Sequence, residues 1–168
     1  MRIILIGFMG TGKSVVGKKL SQIKNVEFVD MDNEIEKVQG VSISYIFEKY
    51  GQEYFRNLET NLLKELLLRD NIIISTGGGI ITNKGNIEIL KKEDKVIFLD
   101  ANVETIVKNV SREINKRPLL KESSNLNNTI KTLLSDRYEK YKKIANFIID
   151  INEKNIEEVV SQILVSIG

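Results

Sequence analysis

The chain has no cysteine, no histidine and no tryptophan among its 168 residues, and only one proline. Without thiols it can build no disulfide framework, thiolate metal site or cysteine nucleophile, and without imidazole it lacks the usual base, ligand and phosphate carrier. Proton transfer therefore falls to carboxylates or lysines. No apolar run approaches the roughly 20 residues that span a bilayer, and Met1-Arg2 leads directly into a strand pattern rather than a signal-peptide core. An excess of one charge is missing too: 25 basic residues face 23 acidic ones, a net +2, where a nucleic-acid surface needs a strong basic face. These absences predict a cytoplasmic protein with no membrane or nucleic-acid partner. A chain 42% hydrophobic and of this length suits one domain, 1–168, with a real core, and the composition suggests a monomer.

What is present is most distinctive at the start. Gly7-Phe8-Met9-Gly10-Thr11-Gly12-Lys13-Ser14 follows the apolar run Ile3–Ile6 and precedes apolar residues at Val16, Leu20 and Ile23. This is the G-x-x-x-x-G-K-[ST] phosphate loop in its strand, loop, helix setting. Its glycines let backbone N–H groups crowd around phosphate oxygens, and the helix N-terminus adds a favourable dipole. Lys13 is expected to reach the β- and γ-phosphates and Ser14 to offer its hydroxyl to Mg²⁺. The chain is thus expected to bind a nucleoside triphosphate.

Five short runs rich in β-branched residues, Ile3–Ile6, Val26–Val29, Ile72–Ile74, Val96–Leu99 and Phe147–Ile151, read as strands of a parallel sheet buried on both faces. Helical spacing separates them: Leu58, Leu62, Leu66; Ile87, Leu90; Val103, Ile106, Val107, Val110; and Ile156 through Ile167. This alternation predicts a doubly wound α/β domain with its ligands beyond the carboxyl ends of the strands. Two segments stand outside it. Residues 33–69 are too long for a simple crossover, with polar and aromatic residues between two helical stretches. Residues 113–128, with Arg117-Pro118 and a polar run, have no apolar period and read as a mobile lid over the phosphates, simple disorder being the other reading.

Further candidates lie at strand ends. Asp30-Met31-Asp32 follows the second strand, and in an extended segment both carboxylates would point one way. One could hold Mg²⁺ through water while the other takes a proton from an attacking hydroxyl, a helix N-cap at Asp32 or Asn33 being the ordinary alternative. Gly77-Gly78-Gly79 after the third strand presents bare backbone suited to close approach of a small polar ligand. Arg56, Arg117 and Arg137 are stronger anion-binding candidates than the lysines, because a guanidinium fork grips carboxylate or phosphate through two hydrogen bonds. Glu59, three residues after Arg56 on a helix, can hold that fork, although such pairs are also common on surfaces. Arg117 could swing onto a transferring phosphoryl group.

In order, Gly7–Ser14, Asp30-x-Asp32, Phe55-Arg56-x-x-Glu59, Gly77-Gly78-Gly79, Arg117-Pro118-Leu119-Leu120 and Arg137-x-x-x-Tyr141 resemble the shikimate kinases, and the likeness covers nearly the whole chain. The resemblance implies ATP-dependent phosphorylation of the 3-hydroxyl of shikimate on the route to chorismate and the aromatic amino acids. It implies the P-loop fold of nucleoside monophosphate kinases: a five-stranded parallel sheet in order 2-3-1-4-5 flanked by helices, a substrate-binding segment at 33–61 and a lid at 113–128. By similarity Asp32 binds ring hydroxyls and acts as base, Arg56 and Arg137 clamp the substrate carboxylate, Gly77, Gly78 and Gly79 give backbone contacts, and Glu59 orients Arg56. Lys13 and Arg117 neutralise the moving phosphoryl group. Gly10, Thr11, Gly12, Lys13, Ser14, Val15, Arg112 and Arg117 serve ATP, and Mg²⁺ is held by Ser14 and, through water, Asp30. Arg112 matches the family's adenine-side arginine only loosely. Gln52 stands where the family commonly has Glu, and Asn152-Glu153-Lys154 replaces a frequent proline.

A gluconate-type sugar-acid kinase shares the phosphate loop and the carboxylate clamp, so it is the competing enzyme, though its pattern lacks the three glycines and Asp-x-Asp. A GTP switch is disfavoured, because Asn83-Lys84-Gly85-Asn86 ends on the wrong residue in the wrong place for reading guanine. A silent ATP-binding module would not need Lys13, Asp32 and Arg117 together.

Overall fold

The computed structural model describes residues 1–111 and 125–168. Chain order runs β1 (Arg2–Ile6), α1 (Lys13–Lys24), β2 (Glu27–Asp30), α2 (Met31–Gln39), α3 (Ile43–Tyr50), α4 (Gln52–Leu66), β3 (Ile72–Ser75), a 3-10 turn at Ile80–Thr82, α5 (Lys84–Leu90), β4 (Val96–Asp100), α6 (Val103–Val110), α7 (Leu126–Ile144), β5 (Phe147–Asp150) and α8 (Ile156–Ile167). The strands form one sheet in the order β2-β3-β1-β4-β5, every pairing parallel, with Ile3 beside Ile73 and Leu5 beside Ile97. β1 lies in the middle, and the connections leave it in opposite directions. The crevice at its carboxyl end is where such a sheet receives ligands.

Burial explains the strand patterns. Ile3–Ile6, Ile72–Ile74 and Val96–Leu99 are at most 1% exposed, so the three central strands are covered by helices on both faces. The edges differ from the expectation of full burial: Glu27 is exposed on β2 and Ile148 is 49% exposed on β5, because an edge strand has a covered side and an open one.

The stretch 33–69 holds most of three helices, not two. Gly40 at φ 69° and Gly51 at φ 85° end α2 and α3 in left-handed backbone, and Ser42 caps α3 by accepting from the Tyr45 N–H. Ile35, Ile46 and Phe55 make a second small core here, joined by Val41, Ile43, Phe47, Leu58 and Leu62. The inward line of α4 is Phe55, Glu59, Leu63, Leu66: it keeps Leu66 of the expected Leu58, Leu62, Leu66 but takes Glu59 and Leu63 in place of Leu58 and Leu62, and so carries a carboxylate into the interior. On α1, Ile23 is 51% exposed and the packing face is Val16, Gly17 and Leu20.

α7 answers to no apolar period in the sequence. Its buried residues, Ile130, Arg137, Tyr141 and Ile144, form a sparse seam that includes a guanidinium. Asn125 caps it by accepting from the Asn128 N–H at 3.1 Å, so Leu126–Asn128 are its first turn, which corrects the far end of the expected 113–128 lid. The rest of that lid, with Arg117, and also Arg112, lies outside the described residues.

Candidate active site

The loop between β1 and α1 folds as its residue types demand. Gly10 sits at φ 76°, and a Cβ there would lie 2.7 Å from Val110 Cγ1, so conformation and space both exclude a side chain. Asn109 Nδ2 ties the loop down by donating to the Gly10 carbonyl at 2.7 Å. Thr11 Oγ1 donates to the Phe8 carbonyl at 2.9 Å. Lys13, 7% exposed, donates Nζ to the carbonyls of Gly7 (2.8 Å) and Phe8 (2.9 Å). The ammonium is therefore held inside the curve of the loop. Gly12 begins α1 without a side-chain cap, which leaves its first N–H groups for an anion. Val15 stands 53% exposed at the same end.

Beside it, Ser14 Oγ donates to Asp30 Oδ2, while Asp30 Oδ1 accepts from the Asn33 N–H at 3.1 Å. Asp30 is thus the N-cap of α2, and Asp32 lies in that helix's first turn. This corrects the extended reading of Asp30-x-Asp32: about 200° of helical rotation separates the two, so the carboxylates serve different neighbours. Asp30 faces the phosphate loop. Asp32 is half-buried and faces the glycine loop, where a Cβ on Gly77 would come within 2.9 Å of its Oδ1.

The three glycines are needed for space. None of them has positive φ. A Cβ on Gly77 would lie 2.5 Å from Glu59 Oε1, one on Gly78 would lie 3.0 Å from the Met9 nitrogen, and one on Gly79 would collide with the Arg56 guanidinium. The bare backbone expected to meet a ligand is pressed first by the protein's own charged groups. Gly78 also joins this loop to the phosphate loop.

Glu59 Oε2 accepts from Arg56 Nη1 at 2.6 Å, its side chain only 1% exposed and that of Arg56 13%. Arg56 lies over the rings of Phe55 (5.3 Å) and Phe47 (6.0 Å). Burial pushes the Glu59 carboxyl up to about 7, with Arg56 pulling the other way. Across the pocket, Arg137 is 5% exposed and stands 5.7 Å over the Phe8 ring. Among the described residues, Arg137 Nη1 and Arg56 Nε are buried donors without an acceptor. Two guanidinium groups, a carboxylate that among the described residues pairs with Arg56 alone, and unfilled donors on both arginines describe a pocket suited to a further anion.

The family model described as "Shikimate kinase" matches residues 9–168. The chain belongs to the shikimate kinase family. The shikimate kinase of Caldanaerobacter subterraneus subsp. tengcongensis is 41% identical, covering 96% of this chain and 93% of that protein. A shikimate kinase from Acinetobacter baumannii, solved in complex with shikimate, superposes with a TM-score of 0.94 at 37% identity over 99% of this chain and 92% of that one. A Thermotoga maritima protein, a bifunctional shikimate kinase/3-dehydroquinate synthase, is 50% identical over 73% of this chain, which spans 24% of it. A gluconokinase from Sinorhizobium meliloti is 14% identical with a TM-score of 0.63, a likeness of fold alone.

Of the expected site residues, the family fold brings Asp32, Arg56, Glu59, Gly77, Gly78, Gly79 and Arg137 together, and sets Gly10, Thr11, Gly12, Lys13, Ser14, Val15 and Asp30 at the mouth of the same crevice. Arg112 and Arg117 lie outside the described residues. The departing loop after β5 is held by Asn152, whose Oδ1 accepts from the Asn102 N–H and the Thr105 hydroxyl, both at 2.9 Å. Asn109 and Phe47 went unnamed in the sequence, and Phe8 and Phe55, though part of the motifs, were assigned no role under the arginines. Asn109 carries no motif that could have revealed it, whereas Phe55 adjoins Arg56 and could have.

Proposed function

We propose that the phosphate loop and the two-arginine pocket are the halves of one reaction, transfer of the γ-phosphoryl group of ATP to the 3-hydroxyl of shikimate. The buried Arg56 and Arg137 donors beside Glu59 carry the reading, because they ask for a carboxylate on a small polar ligand. Arg56, held by Glu59, and Arg137 bind that carboxylate, and the Gly77–Gly79 backbone receives the ring edge. Asp32 accepts hydrogen bonds from ring hydroxyls and takes the 3-hydroxyl proton as the new O–P bond forms and the bond from the γ-phosphorus to the bridging oxygen of ADP breaks. Lys13 leaves the Gly7 and Phe8 carbonyls for the β- and γ-phosphate oxygens. Arg117, from the lid, and Arg112, on the adenine side, complete the nucleotide side; both lie outside the described residues. The helices of 33–61, with their own small core, form the substrate-binding segment of a single domain, 1–168. Catalysis here is mostly placement and charge neutralisation.

A divalent ion fits. Ser14 hydroxyl and Asp30 carboxylate abut and are hard oxygen donors of the kind Mg²⁺ prefers, Asp30 acting through water. When bound, Mg²⁺ supplies charge neutralisation at the β- and γ-phosphates. No helix among the described residues is long and apolar enough to cross a membrane. In this reading the protein works as a cytoplasmic monomer whose partners are ATP and shikimate, without nucleic acid or membrane; its net charge of +2 offers no excess of basic groups for a polyanion. Purified protein with ATP and Mg²⁺ is expected to release ADP on adding shikimate, and no release would overturn the reading.

A further inference from the structure

Arg137-x-x-x-Tyr141 places two residues on one face of α7, and the proposed mechanism uses only the first. Tyr141 is 0% exposed and stacks on Phe98, ring centroids 5.0 Å apart and planes 22° from parallel. Packing accounts for the ring. The hydroxyl does something more specific: it donates to the carbonyl of Gly78, 63 residues away, the middle glycine of the loop that Arg56 and Glu59 press against. Arg137 is close enough to the same hydroxyl to oppose the rise that burial imposes on the phenol.

A trans peptide is planar, so its C=O and N–H point in opposite directions. Anchoring the Gly78 carbonyl toward α7 turns the Gly79 N–H away from α7. The Ile80 N–H closes a turn on the Gly77 carbonyl at 3.2 Å, with Gly78–Gly79 as its central peptide; such a turn admits either orientation of that peptide, and glycine has no side chain to choose between them. Among the described residues Gly79 accepts from the Thr82 N–H and hydroxyl, contacts that leave its own N–H orientation unset.

We propose that Tyr141 is a positioning residue for the acidic substrate: its hydroxyl fixes the Gly78–Gly79 peptide and couples it to Arg137, so that backbone donor and guanidinium present one preset surface. The inference rests on the two-arginine reading above and deepens it. Its neighbour Tyr138 provides an internal comparison, because it also meets Phe98 (5.8 Å) but spends its hydroxyl on Asp100 Oδ2 at 3.0 Å, away from the glycines.

The test is steady-state kinetics on the full chain with Tyr141→Phe, Tyr138→Phe and Arg137→Ala, with shikimate binding without nucleotide measured by calorimetry. Phenylalanine keeps the stack, so the fold is retained, and the calorimetric signal reads only folded protein. For Tyr141→Phe the expected result is a shikimate KM and Kd raised about tenfold, the worth of one hydrogen bond in a charged site, with the ATP KM within about twofold. Tyr138→Phe is expected to leave all constants near the parent. A shikimate KM and Kd within about twofold of the parent for Tyr141→Phe, while Arg137→Ala weakens both, would overturn the positioning role and leave the clamp standing. Unchanged values in both variants would overturn the clamp as well. Equal rises in the shikimate and ATP KM would reduce Tyr141 to general packing and also overturn the proposal.

Discussion

Arg56 donates a 2.6 Å hydrogen bond to the Glu59 carboxylate, itself only 1% exposed and one helical turn along α4. The pair is costly to bury and is made useful by what lies around it: Asp32 and Gly77 on one side, Gly79 and the rings of Phe47 and Phe55 on the other. Its charge state sets the first prediction.

The Glu59 carboxyl sits near 7 in the fold against 4.5 ordinarily, because burial disfavours its ionised form. A raised value means that the folded chain binds the proton more tightly than the unfolded one. The corresponding stability is fully present below about 4.5 and is lost as pH rises through about 7. Parent and Glu59→Gln compared by urea unfolding at pH 5 and pH 8 should therefore diverge, the parent losing up to about 3 kcal/mol relative to the variant. A pH-independent difference would show that Glu59 remains ionised throughout.

Gly79→Ala places a methyl group on the Arg56 guanidinium. The obstructing atoms are the far end of a flexible side chain, so the fold should survive with Arg56 pushed aside. The shikimate KM is expected to rise about 10- to 100-fold, the worth of a charged hydrogen bond, with the thermal midpoint little changed. Kinetics and a thermal melt on one preparation check both halves.

Most of the architecture is legible in the amino-acid sequence, for a physical reason. Central strands covered on both faces leave continuous runs such as Ile72–Ile74, and a phosphate loop admits few substitutions at Gly10 or Lys13. The arrangement of the clamp was legible only as separate pieces. Asp30-x-Asp32 reads as extended or as a cap at Asp32 or Asn33; the helix in fact starts at Met31, and Asp30 is its cap because its carboxylate accepts from the Asn33 N–H. α7 carries no apolar stripe to read: its buried seam of Ile130, Arg137, Tyr141 and Ile144 is sparse and includes a guanidinium and a phenol, the latter set on Gly78 and Phe98. Glu59 breaks the apolar register of α4 because it serves Arg56, and such departures from pattern gather at sites.

Asp32→Asn keeps the size and removes the proton acceptor. Turnover is expected to fall by about 10²- to 10⁴-fold with a smaller change in KM. Rapid-quench measurement of shikimate 3-phosphate formation checks it, and near-normal turnover would assign the base elsewhere.

Ser14→Ala removes the hydroxyl that meets Asp30. The Mg²⁺ concentration required for half-maximal rate should rise about tenfold or more, while shikimate binding without nucleotide, followed by calorimetry, stays at the parent value. An unchanged Mg²⁺ requirement would detach Ser14 from the metal.

The central claim is that one crevice pairs a phosphate loop with a clamp for a carboxylate-bearing ring. It is tested most directly by coupled ADP release from the purified chain with ATP and Mg²⁺, offering shikimate, gluconate or a nucleoside monophosphate in turn. The account predicts turnover with shikimate alone. Turnover with gluconate or a nucleotide instead, or none with shikimate, would contradict it.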